Sequence, residues 1–271
     1  MDEVVALDQQ LLLALNGSDS VVLDTFFMTV TRTATWIPMF VALLYIVWQH
    51  TKAIPSHATP QHATPSSESP TSAAPTSEAR LSPSRGSGER VSGERVFTFL
   101  LFIVATAIVI LIADRVSSGL CKPFFHRFRP SHEPALAGLV DLVGDYRGGL
   151  YGFISSHAAN TFGVATFVAF ALRHRATTLT LFAWACLSSY SRIYLGVHYP
   201  GDILAGAIWG ALSALFVYYL TSLLTSRFQC LHYNFPSHFP PPSLHFPFFN
   251  LLLPLTFLLT IFVAAIFPLL I

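Results

Sequence analysis

The chain has 271 residues, of which 53% are hydrophobic and only 11% charged, against roughly 25% charged in an ordinary soluble domain. Its net charge is +1, so no strong overall field points to nucleic acid or to an acidic partner. The three cysteines (Cys121, Cys186 and Cys230) are far apart and match neither a disulfide framework nor a zinc spacing.

The first element is a short helix over 4–15 that stops at Asn16-Gly17. Its apolar residues lie all around it, which suits a helix resting on a membrane interface better than one crossing it. No basic region precedes an apolar stretch, so a cleaved signal peptide is not expected. Six apolar segments follow, at about 25–49, 96–117, 153–172, 177–195, 202–224 and 248–270, with lengths that suit membrane-spanning helices. The first is diluted by Thr29, Thr31, Arg32 and Thr33. Its firm core is 36–48, with Trp36 and Trp48 placed as interfacial anchors. The expected fold is therefore all-α, a polytopic membrane protein of about six transmembrane helices.

Four regions divide the chain. Residues 1–49 hold the interfacial helix and first span; 50–95, rich in Ser, Pro and Thr, have the composition of a disordered tether. The segment 96–224 is the expected catalytic core, formed as a helical bundle. Residues 225–271 hold a Pro/His/Phe-rich loop and the last span. His232, His238 and His245 in that loop lack acidic or cysteine partners at ligand spacing, so no metal site is expected there.

Three clusters carry chemistry, and with these spans all three emerge on one membrane face. They are Lys122 to Pro130, Ser155-Ser156-His157, and Ser191-Arg192 through His198 to Asp202. Lys122, Arg129 and Arg192 are cations whose cheapest use beside hydrocarbon is to surround an anion. Arginine meets phosphate oxygens through paired hydrogen bonds, whereas lysine acts as a point charge. Ser155 and the N–H groups of Ser156 and His157, at a helix start, add donors to that cradle. Neutral His198 is the candidate nucleophile at phosphorus, and Asp202 the acceptor that fixes its tautomer. His157 is the candidate general acid for the leaving oxygen, and later the base for water. The scheme uses no cofactor and no metal. Singly, a histidine at a membrane boundary is ordinarily an interfacial polar residue and a flanking arginine an anchor; the joint spacing on one face argues otherwise. Arg147, in the loop 131–150, is a candidate contact for a second phosphate, and Asp114-Arg115 a candidate local ion pair.

These clusters resemble the signature of the type-2 phosphatidic acid phosphatase superfamily. Its pattern of Lys, six residues and Arg-Pro is met by Lys122, Arg129 and Pro130. Its Ser-Arg, five residues, His, three residues and Asp is met by Ser191, Arg192, His198 and Asp202. In the remaining Pro-Ser-Gly-His motif, Ser155 and His157 match, while Ile154 stands for the Pro and Ser156 for the Gly. The resemblance covers roughly 96–224 and implies a six-helix membrane fold with metal-independent phosphate hydrolysis. It also implies the bacterial branch that dephosphorylates membrane lipids, with undecaprenyl diphosphate or a phosphatidate-type lipid as the expected substrate and lipid A as the alternative. Partners are then the phosphorylated lipid and the bilayer, with no nucleic acid. The basic residues Lys52, Arg80, Arg85, Arg90, Arg95, Arg173, Arg175 and Arg227 lean toward the opposite, cytoplasmic side. That lean gives a multi-pass protein of the bacterial inner membrane with its site on the periplasmic face. Two rival readings are a vanadate-dependent haloperoxidase, whose relatives are soluble, and a membrane protein that binds phospholipid without catalysis.

Overall fold

The structure is a computed structural model that describes residues 2–52, 86–229 and 247–266. Its helices are α1 (Asp2–Leu15), α2 (Val21–Val30), α3 (Ile37–Lys52), α4 (Gly86–Asp114), α5 (Lys122–Phe125), α6 (Ser156–Leu172), α7 (Arg175–Tyr194), α8 (Pro200–Gln229) and α9 (Pro247–Ile266). The described residues form no β-sheet, and the fold is all-α as expected. The tether's residues 53–85 and the loop's residues 230–246, with its three histidines, lie outside the described residues. Gly86–Arg95, assigned by composition to the tether, form the first turns of α4. They lie beyond the last proline of that segment, Pro83, so no proline interrupts a helix there.

Each of the six expected spans overlaps helix among the described residues, the first as two helices and not one, but their number as membrane crossings stands apart from that. Among the described residues, Arg95–Phe125 and Pro200–Thr225 are each long and apolar enough to cross a membrane. A third crossing is formed if α2 and α3 are taken together, bent by 73°. The bend falls at the Thr-Arg-Thr run that diluted the first span. There Thr35 donates its hydroxyl to the Thr29 carbonyl at 2.7 Å, and Trp36 Nε1–H donates to Val30 at 2.8 Å. Side chains thus satisfy carbonyls that the broken helix leaves without partners. Trp36 stacks on Phe257 of α9 and meets Trp184 of α7 edge-on, which fixes the bend against the bundle.

The α6–α8 pair is the centre of the fold. On α8, Leu204, Ile208, Leu212 and Phe216 recur every fourth residue and are exposed, forming a lipid-facing stripe. The opposite face carries Gly206, Gly210 and Ala214. A Cβ at Gly210 would collide with the Ala159 carbonyl of α6, and one at Gly206 with that of Ser155. In lipid, where apolar side chains gain little by leaving their surroundings, such backbone approach is what holds helices together. Gly210→Ala is therefore expected to destabilise the bundle by at least about 1–3 kcal/mol, the usual penalty of overpacking. A thermal midpoint in detergent equal to that of the unmodified protein would show that the helices do not need this approach.

α1 ends at Leu15, and Gly17 follows in the left-handed region at φ +62°, in line with the stop read at Asn16-Gly17. Asn16 donates to the Tyr194 carbonyl at 2.8 Å and accepts the Asp141 N–H at 2.7 Å. It thereby ties the end of α7 to the loop 131–150. Leu12 is fully buried, whereas Val4, Leu7 and Leu11 are exposed. The helix has one face on the protein and one apolar face outward, as an interfacial helix does.

Candidate active site

The three clusters meet where α5, the N-terminus of α6 and the α7–α8 turn come together. The α4 helix passes into a π-helical turn at Arg115–Cys121 before α5, a distortion often found at functional sites. That turn brings Ser117 and Ser118 toward Ser156 at 2.9 and 2.7 Å. Lys122 Nζ donates to Ser156 Oγ at 2.7 Å and to Ser118 Oγ at 3.3 Å. The residue standing for the family glycine therefore holds the lysine by its side chain, an interaction that motif spacing alone does not show. Asp114 accepts a hydrogen bond from the Ser118 hydroxyl at 3.2 Å. The expected Asp114–Arg115 ion pair does not occur among the described ion pairs; the π turn directs Asp114 to Ser118 instead.

Ser155 caps α6, accepting the Ala158 N–H at 3.4 Å, while its own N–H donates to the Asp202 carbonyl at 3.0 Å. The expected third span thus begins as a helix only at Ser156, because Ser155 is spent as the cap. His157, in the first turn, sits 2.9 Å from Ser188 Oγ on α7.

Arg129 is buried, with Nε donating to the Tyr151 carbonyl at 3.2 Å and one terminal nitrogen to that of Val197 at 3.4 Å. Gly148, at φ +66°, lets the loop pass over it; a Cβ there would lie 2.9 Å from the guanidinium. Arg192 is also buried and donates to Thr31 Oγ1 at 2.8 Å and to the Tyr146 hydroxyl at 3.2 Å. Its Nε is buried with no partner among the described residues, a donor left for an anion. Burial and the charge of Arg192 both lower the pKa of Arg129. Two guanidiniums that destabilise each other are relieved by a shared anion.

His198 lies at the centre of these charges. Burial first, then Arg129, Arg192 and Lys122, hold its pKa well below the ordinary histidine value. It is therefore neutral at neutral pH, the form with a lone pair to give. Its Nδ1–H donates to Asp202 Oδ2 at 3.4 Å, which leaves Nε2 as the free basic nitrogen. Asp202, at the start of α8, also accepts the Tyr199 N–H at 3.2 Å and Arg127 at 2.8 Å. The site thus holds a neutral, oriented imidazole beside three cations, a second histidine and a helix N-terminus.

Residues 96–226 match the PAP2 superfamily. A lipid A 4'-phosphatase of Bacteroides thetaiotaomicron is 33% identical over 226 residues, covering 82% of this chain and 80% of its own. One of Porphyromonas gingivalis is 33% identical over 239 residues, covering 88% of this chain and 82% of its own. The chain belongs to the PAP2 superfamily. Bacitracin transport permease protein BcrC of Bacillus licheniformis is 40% identical over 79 residues, 29% of this chain and 38% of its own. No solved structure matches. With these relatives, the protein is a bacterial PAP2 membrane lipid phosphatase, a phosphoric monoester hydrolase.

The PAP2 site contains residues that spacing did not single out. Thr31 arrives from the break between α2 and α3, Tyr146 from the loop 131–150, Ser188 from α7, and Asp8 and Arg127 from α1 and the segment after α5. The one available signal was the polar run at 29–33 inside an apolar segment. Arg147 donates to the Ser131 carbonyl at 3.2 Å, within the same loop from which its neighbour Tyr146 reaches Arg192.

Proposed function

We propose that the protein hydrolyses a phosphate monoester on a lipid A-type glycolipid through a phosphohistidine on His198. The support for the substrate is the extent of the two lipid A 4'-phosphatase alignments. They run over four fifths or more of both chains, well beyond the catalytic core, whereas the BcrC match is confined to a short stretch. This favours lipid A over undecaprenyl diphosphate or a phosphatidate-type lipid.

In the proposed mechanism, Lys122, Arg129 and Arg192 hold the phosphoryl oxygens, with Ser155 and Ser156 shaping the α6 end of the cradle. His198 Nε2 attacks phosphorus while the bond to the lipid oxygen breaks, and His157 gives that oxygen its proton. Asp202 stabilises the positive charge that develops on the imidazole. His157, now basic, takes a proton from water as it attacks phosphorus, and the P–N bond breaks to release inorganic phosphate. The cations carry the charge of the transferring group through both steps. The site faces the periplasmic side of the inner membrane in this reading, away from most flanking basic residues, and the six helices predicted to span form the bundle.

The test is phosphate release by purified protein from lipid A, undecaprenyl diphosphate, phosphatidylglycerophosphate and phosphatidate in matched micelles. Lipid A is expected to be preferred in kcat/KM by roughly tenfold or more, as a site shaped to its substrate discriminates. Equal or faster turnover of undecaprenyl diphosphate would overturn the assignment while leaving the chemistry in place.

A further inference from the structure

Asp8, on a helix the reaction does not call for, reaches the nucleophile's partner through a single arginine. Asp8 Oδ2 accepts one arm of Arg127 at 2.6 Å, and Oδ1 accepts the Gly201 N–H at 2.7 Å. The other arm of Arg127 donates to Asp202 Oδ1 at 2.8 Å. The Arg127 guanidinium also lies 4.1 Å over the ring of Tyr199. Asp202 Oδ2 then receives His198 Nδ1–H and the Tyr199 N–H. Charges alternate along Asp8, Arg127 and Asp202, and the line ends at the neutral imidazole. Gly201 leaves room for this approach, since a Cβ there would stand 2.8 Å from Asp8 Oδ2.

We propose that Asp8 and Arg127 are positioning residues for the His198 nucleophile, acting through Asp202. Arg127 fixes the rotamer of the Asp202 carboxylate, so that one oxygen is committed to the arginine and the other to the imidazole. Asp8 fixes Arg127 in turn. Its negative charge also limits how strongly the guanidinium draws on Asp202, which keeps that carboxylate a good acceptor for Nδ1–H as positive charge grows on the ring. Burial opposes the charge of Arg127, yet Asp202 and Asp8 together outweigh it and raise its pKa. The guanidinium is thus a permanent charge in the line. α1 is in this way part of the catalytic assembly, in addition to its place at the membrane interface.

This inference rests on the phosphohistidine reading, and the experiment separates the two. Asp8→Asn, Asp8→Glu, Arg127→Gln and the double variant Asp8→Asn/Arg127→Gln are assayed beside His198→Ala, with inorganic phosphate as a competitive inhibitor. Misplacing a reacting group by about an ångström costs up to about 100-fold. Asp8→Asn is expected to lower kcat roughly 10-fold or more and Arg127→Gln about 100-fold. KM and the inhibition constant of phosphate should stay within about twofold, because the cradle itself is untouched. Asp8→Glu, which keeps the charge, should recover most of kcat. The double variant should be no worse than Arg127→Gln alone, since both act along one line. Full kcat in Asp8→Asn, or losses shared between kcat and phosphate binding that add in the double variant, would reduce Asp8 to an anchor for α1. Retained turnover in His198→Ala would instead bring down the underlying mechanism, whatever the Asp8 variants do.

Discussion

His198→Ala is expected to abolish phosphate release, by on the order of 10⁴-fold or more, while the protein still folds. Removing the nucleophile of a covalent mechanism eliminates the intermediate itself, so the remaining cradle can bind substrate but has nothing to transfer the phosphoryl to. The imidazole is buried, yet its loss removes no ion pair that the neutral ring could have formed, and Asp202 keeps both Arg127 and the Tyr199 N–H. Stability should therefore change little, and phosphate should still inhibit binding of substrate analogues. The decisive observation is a protein-bound phosphate that survives alkaline quench, as an N-linked phosphoryl does, and is lost in acid. Its presence in the unmodified protein and absence from His198→Ala is the expected result. Turnover by the variant, or a bound phosphate of acid-stable type, would exclude the phosphohistidine.

His157→Gln is expected to lower lipid turnover by about 10²–10⁴-fold, the usual contribution of a positioned acid or base. The substitution acts on two steps differently. With a lipid alkoxide as leaving group, departure needs a proton and phosphorylation of His198 is slowed. With p-nitrophenyl phosphate, the leaving group departs without one, so phosphorylation should be nearly normal while attack of water on the intermediate is slowed. Rapid mixing should then give a burst of nitrophenol near one equivalent, followed by slow turnover. A variant equally slow with both substrates and lacking a burst would mean that His157 acts only through packing. Glutamine keeps a hydrogen-bonding group toward Ser188, 2.9 Å from the histidine in the structure, so a structural collapse is not the expected cause of any loss.

The three clusters were readable because each is local: three residues separate His198 from Asp202, and one helix start carries Ser155, Ser156 and His157. A tight turn into a helix, or the first turn of one, brings such neighbours together whatever else the chain does. The parity of crossings then put the clusters on one face without any knowledge of the packing. Other partners come from far along the chain. Arg127 and Asp8 are 119 residues apart, and Arg192 and Thr31 are 161 apart. No periodicity in sequence encodes such a meeting, and α1 read by itself is an interfacial helix with an unremarkable aspartate. The break between α2 and α3 shows the same limit: the polar run at 29–33 was visible as a weakness in a span, and its use as the place from which Thr31 reaches Arg192 was not. Ser156 shows it at shorter range. A departure from the family motif was plain, but its contact with Lys122 depends on a π turn in another helix.

By itself, the amino-acid sequence determined the solvent of this protein and its helical class and singled out the candidate reacting groups, because hydropathy, helix periodicity and motif spacing are local properties. Tertiary structure alone decided what surrounds His198. Burial among three cations makes its imidazole a neutral base, and the line from Asp8 through Arg127 to Asp202 orients it. Both effects arise from groups brought together by folding, since electrostatic and hydrogen-bonding energies depend on distance in space and on the exclusion of water, neither of which a linear chain specifies.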